Sequence, residues 1–255
     1  MTARRAQDVQ RAWSTSGARV ERVDRVLVEA LAPTVAVRGP EAHHLRDVLR
    51  LRVGAEVEAF DGQGRYARGR IAAVDRDAVT LELGEPRDST AEPRLRVTLA
   101  VALLKGDKLV DVVRPATELG VARFRPFVST NCEARELSAV KLGRLRRVAQ
   151  EAARQSGRSV VPEVEEPVPF ARLAAEGAVV VGDPAAESGL ADELEGLLAG
   201  PAVTVVTGPE GGLTEAEVET LRAAGARAVR LGPRVLRADT APVAIAAALL
   251  LLEGT

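Results

Sequence analysis

The chain has 255 residues, 46% hydrophobic and 28% charged, enough to bury one or two cores and too apolar for a disordered tail. A lone cysteine, Cys132, excludes an intrachain disulfide or a thiolate metal cage, and the two histidines, His43 and His44, are adjacent rather than spaced as ligands. The net charge of −1 hides an asymmetry: of 35 basic residues, all but Lys105, Lys108 and Lys141 are arginine.

GC-rich coding explains such an excess as readily as phosphate recognition does, and the second explanation needs clustering. The aromatics Trp13, Phe60, Tyr66, Phe124, Phe127 and Phe170 are too few for base stacking on aromatic platforms, so contact with nucleic acid would rest on arginine. The longest apolar run, 241–252, falls short of the roughly 18 residues a membrane span needs. A soluble, cytoplasmic protein is expected.

Residues 1–21 mix Arg, Ser, Gln and Gly without a period and are expected to form a mobile extension; no apolar stretch follows that would make them a secretory signal. From 22 to 90 short β-like runs (26–28, 35–37, 56–60, 66–74, 78–83) alternate with turn signals, and one helix is predicted over 41–51. Asp61-Gly62-Gln63-Gly64 reads as a hairpin turn, because glycine accepts the positive φ a tight turn requires. This region reads as a small β-barrel. Two prolines, a glycine and polar residues at 84–93 predict a linker with nothing to pack.

After the linker, over 94–255, strands and helices alternate: strands at 96–103, 123–128, 178–181, 203–206 and 228–231, helices at 107–119, 138–155, 186–198, 214–224 and 240–252. That order predicts an α/β domain whose parallel sheet is covered by helices on both sides. The runs at 178–181 and 203–206 lack a polar face and should be central strands.

Ligands of open α/β sheets settle at the carboxyl ends of strands. Three loops stand out there: Gly182-Asp183-Pro184, Thr207-Gly208-Pro209-Glu210-Gly211-Gly212, and Gly232-Pro233-Arg234-Val235-Leu236-Arg237. The second supplies three glycines in five positions and runs into a helix opened by Thr214 with Glu217 three residues later, a capping box. It lacks both GxGxxG and GK[ST], which disfavours dinucleotide enzymes and ATPases. The third sets the apolar pair Val235-Leu236 between two arginines, which implies either a covering ligand or side chains that reach back into the core. On the helix over 138–155 and just beyond, Arg144, Arg147, Arg154 and Arg158 share one side with Glu151, opposite an apolar stripe; the side is either a solvated face or a phosphate surface.

Together the DGQG hairpin, LLKGDKLVDVVRPATELGV, EAARQSGR, TGPEGG and LGPRVLR resemble the bacterial 16S ribosomal RNA uridine N3-methyltransferases (RsmE family) of the SPOUT superfamily, over about 22–252. The resemblance implies a PUA-like barrel that holds RNA, a SPOUT α/β domain threaded into a trefoil knot, S-adenosylmethionine as cofactor, no metal, and a homodimer acting on 16S rRNA of the small subunit. Carried over, the cofactor would touch Gly182, Thr207, Gly208, Glu210, Gly211, Gly212, Leu231, Gly232, Val235 and Leu236. Arg158 and Arg237 would stabilise an oxyanion on uracil and Glu210 would act as a base, because N3 is a poor nucleophile while protonated. Arg144, Arg147 and Arg154 would bind RNA. Where relatives commonly read RTETA, this chain reads Arg237-Ala238-Asp239-Thr240-Ala241, which leaves 238 and 239 a capping role only. A ribose 2′-O-methyltransferase of the same fold and a non-enzymatic RNA-binding protein are the alternatives.

Overall fold

A computed structural model describes residues 23–175 and 178–252; the extension predicted over 1–21 lies outside them. The N-terminal part is a six-stranded sheet in the order β1-β3-β4-β5-β2, built from β1 (Asp24–Leu27), β2 (Thr34–Arg38), β3 (Glu56–Phe60), β4 (Arg65–Val74) and β5 (Ala78–Leu83), with β6 (Arg87–Asp88) paired to β4. Its core is Val26, Val37, Leu45, Val57, Ile71, Val79 and Leu81 with their neighbours. The predicted turn joins β3 to β4: the Asp61 carboxylate accepts the N–H groups of Gln63 and Arg65, and Gly62 and Gly64 take φ of +74° and +111°.

The helix predicted over 41–51 is shorter and changes type. A five-residue α1 (Gly39–His43) opens with Pro40 in its first turn and passes into a π-helical turn, His44–Val48. The wider turn keeps Ala42 and Leu45 on the core side, and the chain leaves it through Arg50 at φ +55°.

The C-terminal part carries a seven-stranded, wholly parallel sheet in the order β10-β8-β7-β12-β11-β13, with β9 beside β8. Its strands are β7 (Arg96–Ala102), β8 (Arg123–Val128), β9 (Glu163–Val164), β10 (Val168–Pro169), β11 (Val179–Gly182), β12 (Ala202–Thr207) and β13 (Arg227–Val229). As the absence of a polar face predicts, β11 and β12 are interior strands, and Val203, Val205 and Val206 are buried. β9 and β10, two residues each, are too short to leave a sequence pattern. The helices are α2 (Lys108–Leu119), α3 (Ala139–Ser156), α4 (Leu190–Leu198), α5 (Glu215–Ala223) and α6 (Thr240–Leu252). On α2 the buried Leu109, Val112, Val113 and Ala116 recur at helical spacing and form one apolar face. Beyond β13, at the sheet's margin, the chain returns so that α6 packs on β7, β11, β12 and α2. No helix among the described residues is long and apolar enough to cross a membrane.

The predicted linker is not loose. Arg87 and Asp88 extend the N-terminal sheet, and the Glu92 carboxylate accepts the N–H groups of Ser159 and Val160 and two bonds from the Arg158 guanidinium. The hairpin tip meets the same segment from the other side, Gly64 N–H donating to Ser159 O and Val161 N–H to Gly62 O. Arg25 closes the join: it stacks on Phe60, pairs with Glu58 at 2.7 Å, and donates to Arg158 O and Ser159 Oγ. Composition alone concealed this, because one carboxylate placed against the residues that follow α3 ties down a polar segment.

Candidate active site

β7 and β12 are neighbours, and from them the chain departs in opposite directions across the sheet, the arrangement that opens a crevice at strand carboxyl ends. The crevice is there, about 570 Å³, within the range of small-molecule sites. Its wall brings together the three loops after β11, β12 and β13: Gly182, Thr207, Gly208, Glu210, Gly211, Gly212, Leu231, Val235, Leu236 and Arg237 all line it. Gly232 does not, but its φ of +85° shapes the turn that presents Leu231 and Val235.

Two features of this wall suit a ligand held by backbone. A Cβ at Gly208 would lie 2.7 Å from the Leu213 nitrogen, so the loop folds on itself only with glycine there. Thr207 is buried, and its hydroxyl has no hydrogen-bond partner among the described residues. A buried hydroxyl left unpaired costs about 1–3 kcal/mol, which a polar ligand group would offset. Val235 remains 78% exposed, so the apolar pair between Arg234 and Arg237 does not turn wholly into the core.

The loop after β12 is braced from outside. Glu217, buried at the start of α5, accepts from Thr214 N–H and Oγ1 and from Thr130 N–H and Oγ1, which completes the predicted capping box and adds the loop after β8 to it. The Asn131 amide donates to the carbonyls of Gly211 and Gly212, both at 3.1 Å. Asn131 and the crevice-lining Lys108 were not among the predicted residues, although each follows an apolar strand, the signal that singled out the other three loops. Burial pushes the Glu217 carboxyl up, but its bonds from Thr214 and Thr130 outweigh that and hold it below the ordinary carboxylate range. With the folded value depressed, its stabilisation is present above the unfolded value of about 4.3 and is lost as pH falls through the folded one. Glu217→Gln is expected to lower stability at neutral pH by about 2 kcal/mol. The difference from wild type should shrink below about pH 4, as urea titrations across pH would reveal.

Glu210, expected as the base, is engaged within the crevice wall. Its Oε1 accepts from Lys108 Nζ at 2.7 Å and Lys105 N–H at 3.2 Å. Burial raises the carboxyl, yet the Lys108 ammonium and the backbone N–H groups of Glu210 and Lys105 prevail and keep it below the usual range. A carboxylate so stabilised is a weak proton acceptor. The sequence reading of Arg158 needs correction. It lies outside the crevice, 3% exposed, with Nε and Nη2 on Glu92 and Nη1 on the carbonyls of Thr117 and Val121. Every nitrogen of its guanidinium is spent on structure.

Arg237 stands at the crevice, exposed and without a side-chain partner among the described residues. The expected RNA stripe on α3 is partly used up: Arg144 pairs with Asp107 at 2.6 Å and Arg154 with Glu41 at 3.1 Å, while Arg147 stays exposed.

Residues 91–250 match the family model of an RNA methyltransferase domain and residues 37–84 that of the RNA methyltransferase PUA domain, so fold and crevice define an RNA methyltransferase with a PUA domain before it. The chain is 33% identical over 224 residues to ribosomal RNA small subunit methyltransferase E of Bacillus subtilis, covering 83% of this chain and 88% of that one. With the protein of the same name from Mycobacterium bovis it shares 36% over 228 residues, 84% of this chain and 86% of the other. The Neisseria gonorrhoeae structure of that name, bound to S-adenosyl methionine, superposes with a TM-score of 0.83 at 28% identity, covering 90% of this chain and 98% of that one. The chain belongs to the ribosomal RNA small subunit methyltransferase E family.

Proposed function

We propose that this protein methylates N3 of a uridine in 16S rRNA of the small ribosomal subunit, using S-adenosylmethionine held in the crevice. The observation that carries the reading is the meeting of three strand-end loops around the unpartnered Thr207 hydroxyl and the Gly208 turn. Those groups fit a cofactor held through backbone amides and carbonyls, with Leu231, Val235 and Leu236 against its apolar parts. A cytoplasmic location, where such a substrate would be met, is part of the same proposal. Assembly as a homodimer, and threading of the loops after β12 and β13 into a trefoil knot, belong to the same proposal; Leu251, 67% exposed on α6, supports an apolar contact with a second copy.

When bound, S-adenosylmethionine supplies an electrophilic methyl group on its sulfonium. The chain's own work is to make N3 a nucleophile and to place it. Because the Lys108 ammonium lowers the basicity of Glu210, the N3 proton passes to solvent water and the larger share falls to Arg237, whose permanent charge at the crevice can stabilise the negative charge left on the uracil carbonyls. Arg237→Ala is expected to abolish methylation while leaving cofactor affinity within about tenfold, since backbone groups would hold the cofactor. Calorimetry beside a methylation assay checks this, and joint loss of both would place Arg237 in cofactor binding. The function itself is tested by methylating isolated small subunits and free 16S rRNA with labelled cofactor and mapping the product. A methylated ribose in place of a methylated base would overturn the N3 assignment.

A further inference from the structure

The backbone groups of the loop after β12 can be followed peptide by peptide. In the peptide joining Gly211 to Gly212, the carbonyl accepts from Asn131 Nδ2 at 3.1 Å and the N–H donates to Pro209 O at 2.9 Å. In the next, joining Gly212 to Leu213, the carbonyl again accepts from Asn131 at 3.1 Å, but the Leu213 N–H has no acceptor among the described residues. A trans peptide sets its N–H opposite its carbonyl. The Leu213 N–H therefore points away from Asn131, which is not on the crevice wall, and towards the crevice that Gly212 and Leu213 line. Backbone N–H groups seldom stay unpaired unless water or a ligand meets them. With the Thr207 hydroxyl, two unpaired donors stand beside Gly208.

Asn131 is itself held in place. Thr130 N–H and Oγ1 donate to Glu217, the Arg135 guanidinium donates to the carbonyls of Ser129 and Thr130 at 3.0 and 2.9 Å, and Cys132 N–H returns to Ser129 O. Gly211 allows the close approach, since a Cβ there would stand 3.1 Å from Asn131 Cβ. One exposed side chain thus fixes the direction of two consecutive peptides. The position calls for an amide: its NH2 group has two donors for two carbonyls, whereas a carboxylate of the same size has none.

We propose that Asn131, outside the crevice, is a positioning residue for methyl transfer, aiming the Leu213 N–H into the crevice as the donor for an acceptor atom of S-adenosylmethionine. The inference rests on the crevice being the cofactor site. A donor that serves the cofactor equally before and during transfer contributes to binding and not to the chemical step, so its loss raises KM for the cofactor and leaves kcat in place.

The test compares wild type with Asn131→Ala and Asn131→Asp. The chain has three glycine–leucine pairs, at 189–190, 196–197 and 212–213, so labelling glycine carbonyl carbons and leucine nitrogens together reduces the correlated amide spectrum to three signals. Leu213→Met identifies the one wanted. In wild type the Leu213 amide proton is expected to move downfield and to exchange more slowly once S-adenosylhomocysteine saturates the crevice. By calorimetry Asn131→Ala should weaken S-adenosylhomocysteine about tenfold. Asn131→Asp should weaken it further, because its oxygens would face the two carbonyls. KM for S-adenosylmethionine should rise in step, with kcat, KM for small subunits and unfolding temperature unchanged, as suits a substitution at an exposed position. A Leu213 amide that the ligand leaves unmoved in wild type, or a wild-type Kd in both variants, would overturn the proposal. So would a loss of affinity matched by a fall in unfolding temperature, which would make Asn131 a structural brace only. A wild-type chain that bound no S-adenosylhomocysteine would overturn the crevice reading together with this inference, a result that none of the other outcomes imitates.

Discussion

Replacing Arg158 with alanine is expected to destabilise the folded chain by about 3 kcal/mol and to loosen the PUA domain from the catalytic one. The guanidinium donates twice to Glu92 Oε2, at 3.0 and 2.8 Å, and to the Thr117 and Val121 carbonyls at 2.9 and 2.8 Å, all in a nearly dry site. Removing it strands the Glu92 charge and leaves two carbonyls unpaired around the end of α2. Glu92 would then grip Ser159 and Val160 through backbone bonds alone, and those residues also receive Arg25 and the hairpin tip. Lysine should recover little, because a compact ammonium cannot span acceptors spread over a planar fork. Urea unfolding followed by separate probes of the two domains measures the effect. An unchanged unfolding curve accompanied by lost methylation would return Arg158 to the catalytic machinery.

Gly208→Ala is expected to lower cofactor affinity by tenfold to a hundredfold, about 1.4 to 2.8 kcal/mol, with much less effect on global stability. The added methyl would meet the Leu213 nitrogen at 2.7 Å and the Gly212 carbonyl carbon at 2.9 Å. Both are backbone atoms of the same loop, so rotating a side chain cannot relieve the clash. The loop would have to open, moving Gly211 and Gly212 away from the Asn131 amide that holds their carbonyls. Isothermal calorimetry reads the affinity, and hydrogen exchange over 208–213 reads the opening. Wild-type affinity in this variant would remove the tight turn from the binding site and the reading of the crevice with it.

Much of the fold was legible because its signals are local. The parallel sheet follows from alternating strand and helix patterns, the interior place of β12 from a run without a polar face, and the α5 start from Thr214 and Glu217 at capping distance. The three glycine-bearing loops were legible for the same reason, since each follows an apolar strand. β9 and β10 were not, because pairs of two residues have no period. The change from α-helix to π-turn at His44 was not legible either, being a response to how Leu45 and Leu49 fit the core.

The arginines mark the boundary most clearly. Helical spacing put them on one side over α3 and just beyond it, yet spacing carries no information about partners: Glu92 and Glu41, 66 and 113 residues away, are what Arg158 and Arg154 pair with. The amino-acid sequence by itself determined the strand and helix order, the glycine turns and the capping, because backbone conformation and apolar periodicity are set by neighbours along the chain. Only the tertiary structure decided which charges are spent on one another and which face the crevice or solvent, because an ion pair forms wherever folding brings opposite charges within a few ångströms, however far apart they lie in sequence.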